Sequence, residues 1–430
     1  MRGCSEVSFS KSKAMRRTSA LALFVGAIGA CGRAGSPSPS DGGADAFESV
    51  TPSPTGDSSA APPSDASVAD AVADVTLDGS AVAPDPACER LKPDASDAAI
   101  GPTNDCLDRM DFGAGKLPYY RSHGLDSPHP NIRNLVLVQH GNSRNPWEYY
   151  DTIASLAKAR DPVHTAVIAP HFQTSADGPP PGDLYWSSDD WKSGLVARNG
   201  AVESYAALDA LLVAAKKVFP RLVRVTVLGF SAGGQTLQRY AAGSTEQDRT
   251  PGILTRFVIG SPGSYLYLDG RRLKADVECS NASSCAVDAA SFDVPDYAPG
   301  CASSDPGTVP GGGGYDNYKF GLASRAGYLS RVSDADLKVR LPSRQVVYLL
   351  AAGDSDTSAG TAYSVLDKEC PAMVQGPVGA SFRLQRGLVF HKYITLLFGA
   401  AHRVSVVPTC KHDEACVFAS VEAGREIFEP

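Results

Sequence analysis

The sequence predicts an α/β domain, a mostly parallel central sheet flanked by helices with an insertion late in the chain. Three observations predict it. Short apolar runs alternate with helical periodicity from about residue 117 onward. Several runs, such as Asn134–Gln139 (NLVLVQ) and Gln345–Ala351 (QVVYLLA), are apolar throughout, as strands buried on both faces are. At the centre lies Val225–Tyr240, VTVLGFSAGGQTLQRY, where a β-branched strand runs through Gly-Phe-Ser-Ala-Gly directly into a helix. With 41 glycines in the chain a GxSxG match can arise by chance. The strand before it and the helix after it give it weight.

The chain does not begin as a folded domain. Lys11, Lys13, Arg16 and Arg17 precede a short apolar run, Ala20–Ala30, which reads as a secretory signal rather than a permanent span. Met15 offers an alternative start, which would leave residues 1–14 and Cys4 outside the product. Ile28-Gly29-Ala30-Cys31 resembles the lipobox of bacterial lipoproteins, which implies lipidation at Cys31 and a place in the bacterial cell envelope. Residues 32–86 are mostly Ser, Pro, Ala, Asp and Gly, too poor in apolar surface to fold, and are expected to form a disordered tether. The folded domain is therefore placed at 87–430. A net charge of −7, without a basic stripe, argues against nucleic acid as a partner. A monomer is expected.

Beyond Cys4 and Cys31 there are eight cysteines, an even number suited to disulfides in an exported chain. Local pairing gives Cys88–Cys106, Cys279–Cys285 and Cys410–Cys416, leaving Cys301 with Cys370. No CxxC spacing occurs, so a zinc site is not expected.

Within the domain, Leu117–Ser122 reads as an outer strand and Asn134–Gln139 as a buried one ending in His140-Gly141-Asn142. Trp147–Ala159 has helical spacing, and His164–Pro170 is the next strand. The turn-rich segment 178–194 carries Trp186 and Trp191, which sit where a substrate cleft would be lined, packing being the alternative. Gly200–Val218 is an amphipathic helix stopped by Pro220, and Ile253–Gly260 a strand. The alternation then fails over about 264–343, a stretch with three cysteines and tyrosines at 265, 267, 297, 315 and 318. This insertion is expected to form a polar, partly open wall. Gln345–Ala351, the helix Ser381–Phe398 and the strand Arg403–Val407 complete the domain, followed by Pro408–Asp413.

Strand, GxSxG and helix resemble the nucleophile elbow of α/β-hydrolases. The segments HGNSRNPWEYY, SYAALDALL, SPGSYLYL, YDNYKFGL, CPAMVQG, RGLVFHKY and VVPTCKHDEACVF are similar to secreted or lipoprotein hydrolases of that superfamily. The resemblance is to polyhydroxybutyrate depolymerase-like and feruloyl-esterase-like enzymes and covers about residues 115–428. It implies an α/β-hydrolase fold with a disulfide-containing cap insertion and a cofactor-free serine hydrolase acting on an ester-containing small molecule or polymer. By this resemblance Ser231 is the nucleophile, His412 the base, and the N–H groups of Asn142 and Ala232 the oxyanion donors. His140 is expected to be structural, and His402 lies at the wrong end of the sheet. The acid is selected as Asp356, three residues after Gly353, with Asp354 as the alternative. The sequence departs from many such enzymes at Phe230, where His is common, and at Lys411, where Gly is frequent.

Overall fold

The computed structural model describes residues 87–88, 106–249, 251–295, 314–357 and 365–429. The expected signal, Cys31, the tether and Cys301 lie outside these residues.

The main sheet has eight strands: β1 (Leu107–Asp111), β2 (Lys116–Arg121), β3 (Asn134–Gln139), β4 (Thr165–Pro170), β5 (Arg224–Phe230), β6 (Leu254–Gly260), β7 (Gln345–Ala351) and β8 (Arg403–Val407). Their spatial order is β1-β2-β4-β3-β5-β6-β7-β8. Only β2 runs against its neighbours, pairing antiparallel with both β1 and β4; every other adjacent pair is parallel.

The uniformly apolar strands feed two cores with alternate residues. Leu135, Leu137, Val225, Val227, Phe257 and Tyr348 face one side. That side is covered by α2 (Ser204–Val218), α3 (Ala232–Gly243) and α5 (Arg383–Phe398). Val136, Val138, Leu228, Val258 and Leu349 face the other, against α1 (Pro146–Arg160), α6 (Glu414–Ala419) and α7 (Val421–Phe428). Thr226 is a polar residue within this pattern, and its hydroxyl donates to the Ile427 carbonyl at 3.0 Å.

Four elements were not legible. β1 (LDRMD) carries three charged residues on an edge strand. The helix α4 (Asp334–Ser343) buries only Leu337 and Leu341, one turn apart. The pair α6 and α7 follows the final strand where only a loop was expected. In the insertion the tyrosines at 265, 267 and 315 turn inward. Tyr265 and Tyr267 are fully buried, and the Tyr265 ring stacks on Phe390 with centroids 4.6 Å apart. Tyr315 is buried as well; Tyr297 lies outside the described residues. The disulfides Cys88–Cys106, Cys279–Cys285 and Cys410–Cys416 are present. Cys370 is also disulfide-bonded.

Candidate active site

The β5–α3 junction builds the centre. Ser231 has φ 57° and ψ −119°, a conformation that a non-glycine residue adopts only when its surroundings hold it there. Its N–H donates to the Gly260 carbonyl at 2.8 Å, tying the turn to β6. The glycines beside it are forced by contact. A Cβ at Gly233 would lie 2.6 Å from the His140 carbonyl oxygen, and one at Gly229 would lie 2.6 Å from the Gly233 backbone. Any side chain at either would push the helix off the sheet.

A chain of hydrogen bonds runs from this serine. Ser231 Oγ lies 2.8 Å from His412 Nε2, and His412 Nδ1 lies 2.5 Å from Asp354 Oδ2. The tautomer consistent with both has Nδ1–H donating to the carboxylate and Nε2 accepting from the hydroxyl. Burial pushes the His412 pKa below the ordinary imidazole value, and the hydrogen bond to Asp354 opposes that shift. The Phe230 ring packs on the imidazole, centroids 4.7 Å apart, so this departure supplies an apolar platform for the base.

The carboxylate in contact with His412 is that of Asp354, not Asp356. Asp354 is 2% exposed at the first turn beyond β7, its N–H donating to Ala351 and its carbonyl accepting from Leu384 at 3.1 Å. Asp356 is exposed two positions further along. The turn runs through Ala352 and Gly353 and is closed by the Asp354 N–H on the Ala351 carbonyl, so the first carboxylate after the strand lies against the imidazole. The His412 loop is fixed on both sides of the base. The Gly353 N–H donates to the Cys410 carbonyl at 2.9 Å, the Cys410–Cys416 disulfide closes the loop, and Asp413 caps α6 by accepting from the Cys416 N–H at 2.9 Å.

Ala232 is the first residue of α3, so its N–H has no helical carbonyl to bond and lies where a helix favours an anion. Asn142 is exposed on the loop after β3, and its carbonyl accepts from Arg144 Nη1 at 2.8 Å. Arg144 is gripped in turn by both carboxylate oxygens of Asp177, at 2.7 and 3.0 Å. This pairing, which braces the loop, has no signature in the sequence. Gly141, Asn142, Tyr149, Phe230, Ser231 and His412 line a cleft of about 250 Å³, with Glu414 at its side.

Trp186 and Trp191 do not line that cleft, which corrects the substrate-binding expectation. They are 1% and 0% exposed, packed on Phe172 at 5.0 and 6.3 Å. Trp191 also packs on His140 at 4.8 Å. They support the floor of the loop that carries Asn142. His140 is fully buried, its Nδ1 2.9 Å from the Gly141 carbonyl and its Nε2 accepting from the Phe172 N–H at 3.0 Å. Burial lowers its pKa to about 3, so it is neutral and structural. His402 sits under the sheet between Tyr348 and the Leu341 carbonyl.

The strand order, the single reversed strand β2 and a serine with positive φ between β5 and α3 decide the architecture. The fold is that of the α/β-hydrolases. No protein-family model and no curated protein matches the chain. Among solved structures, the chain is similar to poly(aspartic acid) hydrolase-1 from Sphingomonas sp. KT-1, at 19% identity and a TM-score of 0.49, covering 75% of this chain and 98% of that one. It is also similar to a poly(3-hydroxybutyrate) depolymerase from Bordetella parapertussis, at 17% identity and a TM-score of 0.45, covering 73% and 88%. A third is Est1E from Butyrivibrio proteoclasticus, at 13% identity and a TM-score of 0.33, covering 73% and 91%. Among the described residues of this α/β-hydrolase fold, no group of three or more His, Cys, Asp or Glu side chains is arranged to hold a metal ion. No helix among them is long and apolar enough to cross a membrane.

Proposed function

We propose that this protein is a serine hydrolase, of the carboxylic ester class, held at the bacterial cell envelope through a lipidated Cys31. The observation that carries the chemistry is the hydrogen-bonded series Ser231–His412–Asp354. A serine hydroxyl is a weak nucleophile at neutral pH and needs an adjacent base. His412 takes the Ser231 proton as Oγ attacks the substrate carbonyl, then returns it to the leaving group. Asp354 holds the imidazole in its Nδ1–H tautomer and stabilises the imidazolium. The N–H groups of Asn142 and Ala232 receive the developing oxyanion, commonly the largest contribution in such reactions. The acyl-enzyme is cleared by water, with His412 again as base. The ester preference rests on the resemblance of the sequence to depolymerase-like and feruloyl-esterase-like enzymes.

A fluorophosphonate probe tests the reading on the fragment from about residue 86. The expected outcome is labelling of the wild type, lost in Ser231→Ala and His412→Ala. p-Nitrophenyl esters, and not p-nitroanilides, are expected to be turned over. An unlabelled wild-type fragment would refute the assignment, and turnover confined to anilides would make the protein an amidase on the same residues.

A further inference from the structure

Resting on the serine-hydrolase reading, we propose that Arg383 is a positioning residue that sets the working pH of His412 through Asp354, making the relay four groups long. The two oxygens of Asp354 are divided between two cationic or potentially cationic partners. Oδ2 faces His412 Nδ1 at 2.5 Å, and Oδ1 faces Arg383 Nη1 at 3.3 Å. The Arg383 and Asp354 side chains are 2% and 3% exposed, so water screens this pair little. Arg383 is the first residue of α5, and the next residue, Leu384, donates its N–H to the Asp354 carbonyl at 3.1 Å. One helix start therefore grips the acid by both its side chain and its backbone.

The chemistry follows from the shared carboxylate. When His412 accepts the serine proton, its imidazolium shares Asp354 with a guanidinium that already holds part of the negative charge. The imidazolium is then stabilised less than it would be beside a carboxylate of its own. The groups facing His412 are Ser231 and the Phe230 ring at the elbow, Asp354 after β7, Arg383 on α5, Asp413 on its own loop, and Glu414 at the side of the cleft. Of their charges Asp354 and Asp413 pull the His412 pKa up, while Arg383 pushes it down together with burial. Arg383 in turn faces Asp354 and Asp367. An unpaired Asp354 would hold His412 protonated to higher pH, where it cannot act as a base. Arg383 restrains that effect while keeping the acid oriented.

The test is the pH dependence of fluorophosphonate labelling in the wild type, Arg383→Gln and Arg383→Lys, with folding checked by circular dichroism. Gln keeps a donor for Asp354 and removes the charge; Lys keeps the charge. In Arg383→Gln the acid limb is expected to move up by about one pH unit. As that limb moves toward neutrality, the rate at pH 7 is expected to fall by up to about threefold. Arg383→Lys is expected to return the limb toward the wild-type position. A labelled, folded Arg383→Gln with an unmoved acid limb would overturn the proposal alone, and so would an equal loss at every pH that Lys does not relieve. An unlabelled wild type would overturn the hydrolase reading and this proposal with it.

Discussion

At the first turn after β7 the backbone decides which carboxylate reaches the base. Asp354 leaves the strand with both of its backbone groups bonded and its side chain buried between His412 and Arg383. Asp356 is two residues further on, at the surface. Asp354→Asn can present an amide N–H to His412 Nδ1, which favours the wrong imidazole tautomer. It is expected to slow ester turnover by roughly ten-thousandfold. Asp356→Asn removes an exposed carboxylate and is expected to change the rate by no more than about twofold. Steady-state kinetics of the two variants check this, and reversed effects would return the acid role to Asp356. Spacing from Gly353 could not separate these residues, because the separation is made by a turn and by Arg383, an arginine 29 positions away in sequence. Ser231 was legible for the opposite reason. Its requirements are local, a strand, a strained turn and small flanking residues, and local requirements leave a pattern in the sequence. The Arg144–Asp177 brace and the burial of Trp186 and Trp191 depend on distant segments and leave none.

Elements that are apolar through and through declared themselves in the sequence. β3 and β7 begin and end where their residue patterns place them, because both faces of each must be covered. β1 and α4 are half-exposed and charged, so their pattern is diluted by residues that face water. The His412 loop joins the final strand to α6, and the Cys410–Cys416 disulfide spans it with a sequence separation of six. A loop this short gains about 2 kcal/mol from its cross-link, whereas Cys88–Cys106, with a separation of 18, gains about 3 kcal/mol. Their effects on function should run the other way. Cys410→Ser/Cys416→Ser frees the segment that presents the base, and preorganisation of a catalytic group is worth far more to rate than to stability. Its labelling rate is expected to fall at least tenfold with a small loss in Tm. Cys88→Ser/Cys106→Ser is expected to lower Tm more and leave the rate of the surviving folded protein unchanged. Equal rates in the two double variants would show that the Gly353–Cys410 hydrogen bond and the α6 cap hold His412 without the bridge.

Across the whole molecule, the buried histidines make stability depend on pH in a direction fixed by their environments. His140 sits beneath the Asn142 loop with its pKa lowered to about 3, His171 beside it at about 4, and His402 at the opposite end of the sheet at about 4, in each case chiefly through burial. His391 and His412 are lowered in the same direction. In the unfolded chain each histidine binds a proton as the pH falls through about 6.5. In the folded protein the first three stay neutral until pH 3 to 4. Between these limits the unfolded state holds more protons, so stability is complete above pH 6.5 and declines as the pH falls toward 4. Each histidine contributes about 1.4 kcal/mol per pH unit in that window. Urea unfolding of the fragment from about residue 86, measured between pH 7 and 4.5, is therefore expected to show a midpoint that drops steeply with acid. His402→Asn is expected to flatten the dependence by close to one histidine's share, because its side chain cannot take up a proton in either state. A midpoint independent of pH over this range would mean that these rings are protonated in the folded protein. That is incompatible with the His140 ring accepting the Phe172 N–H beneath the loop that carries Asn142.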